Sequence, residues 1–105
     1  MNTCSMKLLT QELRTQLPKL YAQENIPDPL VYVKFFLPFT DWHWYATEFD
    51  GKDTFFGWVY GDYPELGYFS LSELQSVRGH YGLPVERDTG FQPIPLSQVK
   101  KLHHL

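Results

Sequence analysis

The chain has very little cysteine: Cys4 is the only one among 105 residues. No disulfide can form within it, and no cysteine-based zinc site can be built. A lone thiol suits a reducing compartment. Long apolar runs are also missing. The most apolar stretch, "LVYVKFFL" at 30–37, is interrupted by Lys34 and falls far short of the roughly 20 residues that span a bilayer. The N-terminus carries no long apolar core ahead of a cleavage site, so a soluble, cytoplasmic protein is expected. Charge of one sign is scarce. A net charge of −3 is too small for phosphate binding by bulk electrostatics, and weak for a mimic of nucleic acid.

The usual carriers of chemistry are equally thin. Ser70 in "GYFSLSE" lacks the Gly-x-Ser-x-Gly frame of a nucleophile elbow and reads as a helix cap. Gly57, Gly61, Gly67, Gly79 and Gly82 are too dispersed to cradle a phosphate. His43 stands two residues from Asp41, on one face of a strand, but no nucleophile accompanies the pair. His80, His103 and His104 are scattered, and the last two fall on a tail expected to be loose. No catalytic residue, metal ligand or cofactor site is assigned.

Aromatic side chains are what the sequence has in excess, at 17%. Each buries about 150–250 Å², enough to build a small core on few residues. They concentrate in "DWHWYATE" (41–48) and in "TFFGWVY" (54–60). Leu9, Leu13, Leu17 and Leu20 form a helical stripe within 8–23, with Thr10 as cap, a break at Pro18 and a second short turn after it. Strands are expected at 30–37, 42–49, 54–60 and 66–69. Asp50-Gly51 and Gly61-Asp62-Tyr63-Pro64 supply turns, so the strands form an antiparallel meander. Ser70 and Glu73 make a capping box for a helix that buries Leu71, Leu74 and Val77 and stops at Gly79. Residues 81–88 lead to a short extended piece, and 97–102 to a fraying helical turn. The expected architecture is one α+β domain: a four-stranded antiparallel sheet packed by the N-terminal helical segment and the helix after Ser70.

Alternation along the strands puts Val31, Val33 and Phe35 on one face and Tyr32, Lys34 and Phe36 on the other. Trp42, Trp44 and Ala46 share a face opposite His43, Tyr45 and Thr47. Both faces carry aromatics, so the second is either covered by the terminal segments or offered to a partner. Between Asp41 and Glu65 six acids meet a single base, Lys52. Asp41, Trp42, Trp44, Asp50, Asp53, Trp58, Tyr60 and Asp62 are the candidate contacts to a basic protein partner. Tyr32, Phe36, His43 and Tyr45 are the candidate platform for stacking single-stranded nucleic acid, a mode that also wants a positive groove. The exposed face could alternatively join two copies of the chain.

Read in order, "MKLLTQELRTQLPKLY", "YVKFF", "WHWYATE", "FFGWV" and "ELGYFSLSELQSVRG" followed by "GLPVERD" resemble domain-of-unknown-function family 2958, from Met6 to about Leu96. The resemblance implies a start near Met6, leaving residues 1–5 as a disordered extension. It also implies small bacterial proteins of plasmids, phages and integrated elements, and it transfers no catalytic residue. On this basis the expected function is non-enzymatic: a protein-binding accessory factor of a mobile element that inhibits a host defence complex of restriction or CRISPR type. The alternatives are a single-stranded nucleic-acid binder and a small enzyme of unknown reaction.

Overall fold

Of the expected leucine stripe only Leu13 lies in a helix, the short α1 (Gln11–Gln16), in the computed structural model, which describes residues 7–105. The expected extension at residues 1–5 lies outside the described residues. Thr10 caps α1, its hydroxyl accepting the Leu13 N–H at 3.1 Å. The helix ends at Leu17, which takes an extended conformation because the ring of Pro18 disfavours the helical one before it. The second helical turn does not form. Residues 20–25 make a run of turns, with Tyr21 at φ 73°. The Glu48 carboxylate takes the N–H groups of Tyr21 (2.8 Å) and Gln23 (2.7 Å), which a helix would have bonded to carbonyls one turn back.

The main sheet contains β2 (Val33–Phe36), β3 (His43–Phe49), β4 (Thr54–Tyr60) and β5 (Pro64–Ser70), joined as the expected antiparallel meander. It has five strands rather than four. The extended piece after Pro84 supplies β6 (Glu86–Arg87), which pairs with Phe35 and Phe36, giving the order β5-β4-β3-β2-β6. The expected first strand breaks at Tyr32. Its start, β1 (Leu30–Val31), pairs instead with β7 (Ile94–Pro95). Tyr32 and Val33 both face Ala46, one through the Tyr32 N–H and one in the strand register. This two-against-one arrangement turns Val31 to the second face of the sheet, away from Val33 and Phe35.

A second irregularity sits at Thr47, between the pairs Ala46–Gly57 and Glu48–Phe56. Strict alternation would send Glu48 into the apolar layer of Trp44 and Ala46, and Phe49 out of it. The extra residue reverses both. Phe49 stacks on Phe55 at 4.5 Å within the first core, and Glu48 moves to the face of Phe56. Gly57 is required opposite this kink, because a Cβ there would lie 1.8 Å from the Tyr45 carbonyl oxygen.

Two cores follow. The first joins Val33, Phe35, Trp44, Phe55 and Phe69 of the sheet to Leu8, Leu9 and Leu17, and to Leu71 and Leu74 of α2 (Leu71–Ser76). The capping box of α2 is complete, with Ser70 accepting from the Glu73 N–H and the Glu73 carboxylate accepting from Ser70. The helix stops at Val77 rather than at Gly79, whose missing Cβ admits the Leu37 side chain. The second core joins Val31, Tyr45 and Trp58 to Leu96 and Val99 of α3 (Leu96–Leu102). The C-terminal segment is therefore a cover for the second face and not a fraying turn. His103, expected on a loose tail, stacks on Tyr60 at 4.0 Å and shares a 2.7 Å hydrogen bond with the Tyr45 hydroxyl. No helix of the described residues is long and apolar enough to cross a membrane.

Candidate binding edge and its two grooves

The two long edges of the sheet differ. The β6 edge is two residues long and is tied to the N-terminal segment by the Arg87 guanidinium, which donates to the carbonyls of Lys7 and Leu8. β5 is seven residues long, and no described strand lies beyond it. Natural edges are blunted by lysine, by interior proline or by shortness. β5 has only Pro64, at its first position, and then presents Leu66 and Tyr68 more than half exposed.

Alternation along β5 opens onto a different groove on each face. On the first face Glu65, Gly67 and Phe69 border a groove of about 460 Å³ floored by Trp42, Trp44 and Val59, with α2 as its far wall. The two indole rings stack at 5.7 Å. Gly61 makes room for the outer one, since a Cβ there would meet the Trp42 ring at 2.2 Å. Glu65 and Glu73 bring carboxylates to this groove. Leu37 lines it too, and the chain beyond Leu37 carries Phe39, which meets Tyr81 edge-on at 5.8 Å. Both of these rings are exposed, and both residues hold the left-handed conformation.

On the second face Leu66, Tyr68 and Phe56 border a groove of about 370 Å³, closed by Tyr21 and Glu24 from the turns and by Lys100 from α3. Phe56 and Tyr68 pack edge to face at 5.0 Å. The Tyr68 hydroxyl is held above its ordinary pKa, first by its hydrogen bond with Tyr21 and then by burial and nearby carboxylates. Glu48, only 4% exposed, contributes a buried carboxylate. Each of its oxygens accepts one backbone N–H, and no described cation pairs with it within 4 Å.

The structure separates the sequence-derived candidates. Trp42 and Trp44 belong to the first groove, whereas Trp58 lies buried beneath α3 and Tyr60 is stacked under His103. Asp41 and Asp62 are exposed at one end of the sheet; Asp50 and Asp53 lie at the other, about 20 Å away along seven-residue strands. Asp50 accepts the N–H groups of Lys52, Asp53 and Thr54 at 2.8–3.0 Å, which hold its carboxyl below the usual range. Asp53 accepts both the N–H (2.8 Å) and the hydroxyl (2.7 Å) of Ser72. Both aspartates have local structural work.

The stacking candidates are divided as well. Tyr45 is 1% exposed, and burial pushes its hydroxyl up to about 12. Tyr32 packs against the first core, while Phe36 and His43 border a shallow depression with Lys34, Glu86 and Asp88.

The family model described as "Protein of unknown function (DUF2958)" matches residues 8–103. The chain belongs to this family. No curated protein and no solved structure matches it. For this DUF2958 member, sequence reading missed Tyr21, Phe56, Leu66 and Tyr68 as one constellation. The available signal was topological: the last strand of a meander is an edge, so exposed apolar residues on "ELGYFS" are accessible from both faces.

Proposed function

We propose that this protein acts without catalysis, by binding another protein along the open edge of β5. The partner supplies an extended basic segment that adds to the sheet as a further strand. The observation that carries this reading is a seven-residue edge with no neighbouring strand among the described residues and an apolar groove on either side. Strand addition uses main-chain hydrogen bonds for affinity and alternate side-chain pockets for specificity. The charge supports a basic occupant: Asp62, Glu65 and Glu73 lie on or beside the first groove, and Glu24 and Glu48 on the second, against Lys100 alone. A second copy on the same edge would bring the carboxylates around one β5 edge toward those around the other, a like-charge approach that disfavours it. In its concrete form, the factor is carried by a mobile element and occupies a basic surface of a host defence complex. That setting rests on the family resemblance.

The test is capture of host proteins with and without nuclease, followed by amide hydrogen exchange on the complex with the purified partner. The partner should survive nuclease, and exchange should slow across Pro64–Ser70. Leu66→Lys should weaken binding by about tenfold or more, by placing a charge on the edge. The same variant should leave Tm within about 2 °C, since an exposed position contributes little to stability. Protection confined to the Asp41 and Asp62 end would overturn the edge assignment. Loss of all binding on nuclease treatment would move the reading to nucleic acid.

A further inference from the structure

We propose that the second groove is a receptor for an arginine side chain, which the partner segment presents on alternate positions of the added strand. The identity of the occupant rests on the strand-addition reading; the groove's preference for a guanidinium does not.

The wall is aromatic. Phe56 and Tyr68 meet edge to face at 5.0 Å, and the Tyr21 ring lines the same opening. Aromatic faces attract cations, and a planar guanidinium also stacks on them and sheds water more readily than an ammonium. The floor is anionic. Glu48 is 4% exposed, yet its two oxygens hold only the Tyr21 and Gln23 N–H groups. An ionised carboxylate has roughly four acceptor sites, so about two remain. A buried charge is ordinarily paired, and here no described cation lies within 4 Å of it. Glu24 adds a second carboxylate at the rim. The shape fits: the groove of about 370 Å³ lies beside Leu66 and Tyr68, the β5 side chains that point to this face. Lys100 enters from α3 on the opposite wall. It is the cation an incoming guanidinium would have to displace or repel.

The experiment needs no partner. n-Butylguanidinium, n-butylammonium and neutral n-butylurea are titrated into the whole protein and followed by NMR of the aromatic rings. Butylguanidinium should saturate in the millimolar range, shift Tyr21, Phe56 and Tyr68, and bind at least fivefold tighter than either comparison compound. Tyr68→Leu, on an exposed strand position, should weaken it at least fivefold, and Lys100→Met should tighten it. Glu48→Gln should also weaken it; because Glu48 holds two backbone N–H groups, Tyr68→Leu is the variant that decides if Glu48→Gln does not fold. Equal binding of butylurea, or shifts confined to the Trp42 and Trp44 rings of the first groove, would overturn the receptor. Butylammonium binding as tightly as butylguanidinium would overturn the preference for arginine. If the probe binds while Leu66→Lys leaves the captured partner unaffected, the receptor stands and the edge reading fails; the reverse pattern separates them the other way.

Discussion

His43 shows what a single residue contributes at the boundary of the second core. Its Nδ1 is buried without a hydrogen-bond partner, and its ring lies 5.0 Å from that of His103. Burial first, then Lys34 and His103, depress its pKa to about 4, against a weaker pull upward from Asp41. His103 is lowered for similar reasons, burial first. A histidine whose folded pKa lies below the unfolded value near 6.5 takes up protons on unfolding, so its contribution is complete above pH 6.5 and is lost as pH falls toward 4. Thermal unfolding followed from pH 7.5 to pH 5 should therefore show Tm falling, at about 4–8 °C for each kcal/mol lost. His43→Leu should flatten that limb. An unchanged slope in the variant would place the acid sensitivity elsewhere. Asp50 and Asp53 carry the opposite lesson: acids that look available to a partner in sequence hold a turn and the start of α2.

At the scale of elements, α3 decides what the aromatic strands can do. Val99 is fully buried and Leu96 nearly so, and between them they cover Tyr45 and Trp58. Asp28 fixes the start of this helix from the opposite side of the chain, accepting the Ser97 N–H at 2.9 Å and its hydroxyl at 2.6 Å. Val99→Ala removes two buried methyl groups and leaves a cavity, so it should cost about 2 kcal/mol. On a domain of this size that lowers Tm by about 8–16 °C. The measurement is thermal melting with tryptophan emission as probe; a loss under about 0.5 kcal/mol would mean that α3 rests on the sheet without stabilising it. The Thr10 cap, the capping box and the meander were all legible in sequence, because each has its own local cap or turn. The position of α3 was not, because "SQVKKLHH" has too few apolar residues to declare which surface it covers.

For the molecule as a whole, the net charge of −3 matters less than its placement around the β5 edge. Association with a basic partner should slow by about tenfold between roughly 0.05 and 0.5 M salt, because exposed charges steer the encounter and are screened within about a Debye length. Stopped-flow association rates would check this, and a rate indifferent to salt would mean that apolar contact alone directs the encounter.

The sequence by itself determined the α+β class, the meander and the helix that follows it, the Thr10 and Ser70 caps, the Asp50-Gly51 turn and membership of the family, since these rest on local periodicity, turn chemistry and motif order. Only the tertiary structure decided the faces. Irregularities at Tyr32 and Thr47 each add a residue against one partner, and a shift of one residue inverts every side chain beyond it. That inversion carries Val31 under α3, Phe49 into the first core and Glu48 to the floor of the second groove. Strand pairing likewise decided that β6 closes one edge while no described strand covers β5. These outcomes depend on contacts between residues far apart in the chain, which no local pattern encodes.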